Sequence, residues 1–221
     1  MTTRYLNTVF SDHVKSAQQA HGSRAAYARL DGPTDGPTGA PDRLTDREIR
    51  FIAARDSLYM ASTGAGGWPY LQHRGGPAGF VKVLDDRRLG FADFRGNRQY
   101  VSLGNLAGDA RAAFFFMDYP QRQRLKLLGH VRMVGLDEAP DLAAALIDQP
   151  YGARVEHALV VEVEAFDWNC PQHITPRYSL AEIAPSIDAL KARIGELEAE
   201  VTRRDAGTRD RSPVGGNLAG Q

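Results

Sequence analysis

The sequence predicts a mainly β fold with flanking helices, an antiparallel barrel. Between residues 58 and 166 short apolar-rich runs recur, each closed by turn residues, at a spacing typical of a meander or barrel. Two of the later runs alternate residue by residue, the period of a strand with one covered face. Helical signatures are few and short within that region. Six or seven strands with so few helices favour a closed antiparallel sheet.

Composition narrows the class. The 221 residues suffice for one large domain, or a medium domain with appended ends. Basic and acidic residues balance at 27 each, for a net charge of zero, which argues against a partner held by bulk electrostatics. Neither nucleic acid nor a membrane is therefore expected. No apolar run reaches the roughly 18 residues of a membrane span, and MTTRYLNTVFSDHVK lacks the apolar stretch of a secretory signal. The single cysteine, Cys170, excludes an internal disulfide and any multi-cysteine metal site. A soluble, cytoplasmic protein without a metal is expected.

Residues 11–29 read as a polar helix. DGPTDGPTGAPD (31–42) holds too many prolines and glycines for helix or sheet, so 1–44 forms an N-terminal helix and linker. Thr45 with Glu48 is a capping box, opening a helix over 45–56. LYMAST (58–63), PYLQHR (69–74), FVKVL (80–84) and RLGFADF (88–94) follow as strands. Residues 97–109 read as one helix, and 110–118, with its consecutive aromatics, as a fully buried strand. In 122–136 Leu125, Leu127, Gly129, Val131 and Met133 share one face; in 155–166 Val155, His157, Leu159, Val161 and Val163 do. A short helix (138–148) separates these two strands.

The barrel domain is assigned to 45–178. Ser179 and Glu182 then open a second capped helix (179–205). Its Ile183, Ile187, Leu190, Ile194, Leu197 and Val201 recur at spacings of 4, 3, 4, 3 and 4, a heptad seam. Packing on the barrel and pairing with a second subunit both satisfy that seam. Residues 206–221 are polar and glycine-rich and are expected to be mobile.

Several motifs are excluded. TGAGGWP has the glycines of a dinucleotide loop, but Trp68-Pro69 and a strand follow where a helix should open, so it is a hairpin turn. Cys170 and His173 are two ligands without partners, not a zinc site. What stands out is basic residues beside glycines: Arg74 and Lys82 around Gly75, Gly76 and Gly79, then Arg95, Arg98 and Gln99 where a strand passes into a helix. Glycine permits close backbone approach, a helix N-terminus offers free N–H donors, and arginine matches phosphate oxygens in a fork. These features describe a phosphate pocket; turn glycines and solvated arginines are the alternative.

RDSLYMAST, GWPYLQHRGGPAGFVKVLDDRRLGFADFRGNRQYVSLGNL and RAAFFFMDYPQRQRLKLLGHVRMV resemble the FMN-binding split-barrel proteins related to pyridoxamine 5′-phosphate oxidase, more closely a flavin-nucleotide-binding branch of them. DWNCPQHITPRY is similar to that branch's closing motif. The resemblance implies a split β-barrel with FMN at a dimer interface. It assigns the family's FMN-binding lysine to Lys82, a strand pair to Ala92 and Asp93, and an arginine to Arg98. The arginine's lysine partner is Gln99 here, and the glutamine of the next long strand falls near Arg124. Val81, Asn97, Gln172 and His173 complete the set beside Arg74, Gly75 and Gly76, with His173 the catalytic candidate near the flavin ring. The oxidases' closing Arg-x-His substrate motif has no counterpart. The resemblance thus implies a homodimeric FMN oxidoreductase on another small molecule, with NAD(P)H a candidate electron donor. The rival is a module that carries flavin, deazaflavin or haem without turnover.

Overall fold

A computed structural model describes residues 3–31, 39–147, 151–168 and 171–209. Chain contacts divide it into two compact units, Met1–Pro176 and Arg177–Gln221. In the first, helices α1 (Thr3–Val9), α2 (Asp12–Ala20), α3 (Arg24–Ala28) and α4 (Asp46–Ala53) precede β1 (Ser57–Thr63), β2 (Pro69–Gly75), β3 (Lys82–Val83) and β4 (Arg88–Phe94). Then come α5 (Val101–Gly108), β5 (Arg111–Asp118), β6 (Gln123–Gly135), α6 (Pro140–Leu146) and β7 (Val155–Trp168). The second unit contains α7 (Leu180–Arg209).

The strands form one seven-stranded antiparallel sheet in the order β2-β1-β5-β6-β7-β4-β3. This is the split β-barrel with flanking helices that the sequence predicts. Leu58 and Met60 of β1, Phe114 and Phe116 of β5, and Leu125 and Leu127 of β6 alternate inward to a core that also holds Phe91, Leu159 and Val161. Ile52 and Phe51 of α4 pack against the same core. Between Leu128 and Gly129 the β6–β7 register shifts. A Cβ on Gly129 would lie 2.6 Å from the Glu162 carbonyl oxygen, so only glycine lets the strands approach there.

Several boundaries differ from the sequence reading. The N-terminal helix is two helices, because Gly22 adopts φ of +74° between them, and α1 precedes both. The FVKVL run keeps only two strand residues: Gly79 (φ +81°) and the Phe80 N–H bond to the Pro77 carbonyl turn the chain, which buries Phe80 and Val81. The fifth helix starts at Val101 instead of 97, because Arg98 and Tyr100 are left-handed, at φ of 62° and 52°. β5 is not fully buried; its burial alternates, and Ala113 and Phe115 lie on its outer face. β7, by contrast, is covered on both faces over 158–161. The second cover is Leu146 of α6, clustered with Val134, Ala158 and Val160, while Tyr5 and Leu6 of α1 close on Ala165 further along.

α7 opens with the expected capping box, Ser179 N–H donating to the Glu182 carboxylate at 2.7 Å. It continues to Arg209, past the expected end at 205. No described helix is long and apolar enough to cross a membrane. Asn169, Cys170 and the C-terminal 210–221 lie outside the described residues, as does 32–38 of the Pro/Gly-rich loop.

Candidate functional site

The strand-to-helix passage from β4 to α5 builds one wall of a cleft of about 320 Å³, and β2 supplies the opposite wall. Of the residues singled out from sequence, the cleft brings together Arg74, Gly75, Ala92, Asp93, Asn97, Arg98 and Gln99. Gly76, Val81, Lys82, Arg124, Gln172 and His173 do not line it. Gly76 faces inward, since a Cβ there would stand 2.7 Å from Phe80 Cβ. Val81 is core, and Lys82 is half-buried on β3, paired with Gly90. Arg124 lies opposite Met117 on β6, its Nε buried without a hydrogen-bond partner. Gln172 and His173 are exposed, and His173 is left-handed at φ 62°.

The three cleft arginines divide by their partners. Arg74 Nη1 donates to Asp93 Oδ1 at 2.5 Å, and both side chains are mostly buried. Burial pushes the Asp93 carboxyl above its usual range, while the charges of Arg74 and of His157, whose Nδ1 is 3.9 Å away, pull it back. Arg95 Nε lies 3.4 Å from Glu156 Oε1. Arg98 is exposed and meets no carboxylate among the described residues; its Nε donates weakly, at 3.4 Å, to the Tyr100 hydroxyl. That hydroxyl in turn donates to Glu156 at 3.3 Å.

α5 begins at the same place. Its N-cap, Tyr100, offers no side-chain bond to the first-turn N–H groups, and Val101, Ser102 and Leu103 line the cleft. The helix is held by buried Ser102 and Leu106 and by Asn105 Nδ2 donating to Ser62 Oγ at 3.1 Å. Two departures from normal backbone, at Arg98 and Tyr100 on either side of Gln99, each costing on the order of 1–3 kcal/mol, fix the approach. An uncapped helix N-terminus beside an arginine that meets no carboxylate among the described residues is chemically suited to an anion: the amides supply donors and the dipole supplies positive potential. Arg74, already neutralised by Asp93, contributes less.

Sequence reasoning missed Tyr70, Gln72, His73, Tyr100 and Glu156, which also line the cleft. For His73 a signal existed, two residues before Gly75 on an alternating strand. For Glu156 none did, because only the β4–β7 pairing brings it to Arg95. Among the described residues, no cluster of three or more His, Cys, Asp or Glu side chains could hold a metal ion.

The fold and this cleft define a split-barrel protein whose cleft mouth carries Arg98 and the uncapped N-terminus of α5. A family model for pyridoxamine 5′-phosphate oxidase matches residues 44–170, and the chain belongs to that family. No curated protein matches. Among solved structures, an FMN-binding protein from Syntrophomonas wolfei is 12% identical over 69% of this chain and 97% of its own, at a TM-score of 0.40. A pyridoxamine 5′-phosphate oxidase-related, FMN-binding protein from Nostoc punctiforme is 13% identical over 55% of this chain and 78% of its own, at 0.39. An F420 reductase is 16% identical over 56% and 98%, at 0.40.

Proposed function

We propose that the protein is a cytoplasmic, homodimeric FMN-binding flavoprotein and an oxidoreductase on a small molecule other than pyridoxamine 5′-phosphate. The observation that carries this reading is the convergence of Arg98 with the uncapped α5 N-terminus at the cleft mouth. A phosphomonoester fits that pair: Arg98 offers a fork of donors, and the amides of Val101 to Leu103 offer more along the helix dipole. Asn97 and Gln99 flank it with neutral polar groups. Ala92 and Phe80 supply apolar wall toward the interior.

When bound, the flavin ring supplies the two-electron chemistry. The protein's part is to hold the phosphate, orient the ring along the β2–β4 walls and present polar groups such as His73 at its edge. At about 320 Å³ the cleft of one chain is at the small end for a cofactor of this size. A second copy would enlarge it. The outer face of β1, β2 and β5 supports that: Tyr59, Ala61, Leu71, Phe115 and Met117 line an apolar cleft there. His73 links the two regions, lining the first cleft while its ring meets Tyr59 at 5.6 Å.

Titration of the apoprotein with FMN and with riboflavin tests the reading. FMN binds more tightly if the phosphate is read at Arg98; equal affinity for both removes the assignment. NAD(P)H-dependent bleaching of the bound flavin then separates an enzyme from a carrier.

A further inference from the structure

We infer that α7 is a dimerisation element, pairing with α7 of a second copy as a parallel, in-register two-stranded coiled coil. Leu180, Ile187, Leu190, Ile194, Leu197 and Val201 are all exposed on a 30-residue helix, from 38% for Ile187 to 81% for Leu180. Scattered exposed aliphatics need no explanation, but a heptad seam does. Leu180, Ile187, Ile194 and Val201 occupy one seam position; Ile183, Leu190 and Leu197 occupy the other. Over the two heptads 187–200 this places β-branched residues at the first and leucine at the second, the combination that selects two parallel strands, while in the next heptad Val201 is followed by Arg204 at the second position. Pro185 lies on the outward face, away from the seam.

The flanking charges favour the same arrangement. In register, Arg193 of each helix faces Glu198 of the other, two attractive pairs across the seam. Glu200 would face Asp205, a like pair, but Arg204 stands 2.7 Å from Glu200 at that level. Antiparallel alternatives are worse. One that keeps the layers from Ile183 to Val201 apolar sets Arg193 against Arg193 and Lys191 against Lys191. One that matches unlike charges slides the seam until Ile187 faces Arg204. The pairing needs no cofactor.

The test uses the full chain with Cys170→Ser as background. Val201→Cys places a thiol in the seam; Ala192→Cys places one on the outward face. Under mild oxidation at micromolar protein, Val201→Cys should form a covalent dimer at least about tenfold faster than Ala192→Cys, because pairing raises the effective thiol concentration. Adding Leu190→Lys should abolish the difference. An antiparallel pair would hold the two 201 positions about 16 Å or more apart, beyond disulfide reach. Equal rates at 201 and 192, or no dimer through 201, overturn the inference.

Discussion

Trp168 Nε1 donates to the Glu48 carboxylate at 2.6 Å, joining the last residue of β7 to the first turn of α4. The other Glu48 oxygen accepts from the Thr45 N–H at 3.0 Å, completing the capping box. Phe51 and Arg47 close on the same indole, the ring centroids 4.7 Å apart and the guanidinium 4.0 Å from the ring centre. One carboxylate therefore satisfies a helix end and a strand end together.

Glu48→Ala should cost roughly 2–4 kcal/mol, the sum of a lost cap and an indole N–H left without its charged acceptor. Burial alone would raise the Glu48 pKa, but bonds from Thr45 and Trp168 outweigh it, so the pKa lies below its ordinary 4.5. A depressed carboxylate contributes stability that is present above 4.5 and lost as pH falls through the folded value. Denaturant melts followed by tryptophan fluorescence should show Glu48→Gln flattening the acid limb below about pH 4.5. An unchanged acid limb would count against the charge being the cause.

Arg98 and Arg74 line one cleft but should behave differently. Arg98→Ala should weaken FMN binding by roughly tenfold or more, the loss of a charge-assisted contact of about 1.5–3 kcal/mol, and leave stability nearly untouched. Arg74→Ala strands the mostly buried Asp93 without its cation, so it should lower the melting temperature whether or not flavin is present. If Arg98→Ala bound FMN like the wild type, the phosphate would have to be elsewhere.

Leu71→Asp with Phe115→Asp puts charge into the apolar face of β1, β2 and β5. These side chains are not in the interior core, so the barrel should fold with an unchanged far-ultraviolet dichroism spectrum. Flavin content is the informative readout, since on the coiled-coil inference α7 would hold two chains together even where the barrels part. A folded variant that retains its full flavin would place the cofactor away from any interface on this face.

The flavin-loaded protein should oxidise pyridoxamine 5′-phosphate at a negligible rate. Arg98 is the only cleft arginine without a carboxylate partner among the described residues, and it is assigned to the cofactor. A second phosphate would be left without its cation, a heavily unfavourable burial. Formation of pyridoxal 5′-phosphate under air, against a known oxidase, measures this directly.

The β-rich architecture was legible because alternation in β6 and the apolar runs of β1, β4 and β5 leave few other folds. The capping boxes at Thr45 and Ser179 were equally local signals. Long-range pairing was not. That Arg74 spends its charge on Asp93 requires β2 and β4 to face each other across the cleft, 19 residues apart. That β7 is buried on both faces depends on α6 and α1, which no period within β7 announces. Left-handed Arg98 and Tyr100 were invisible for a different reason: non-glycine residues carry no local sign that tertiary structure will force them there.

β7 is the last strand to leave the ribosome, yet it sits between β6 and β4 in the sheet. As the chain emerges, β2, β1, β5 and β6 can pair as neighbours, whereas β3 and β4 have no sheet to join until β7 arrives more than 60 residues after Phe94. The two walls of the cleft therefore belong to portions of the sheet that assemble at different times. A nascent or C-terminally nicked chain lacking β7 would leave β4 and the Arg98 loop unattached to the sheet that carries β2, so the cleft would not form. On the proposed function, cofactor capture would wait for β7 and not for the helix that follows it.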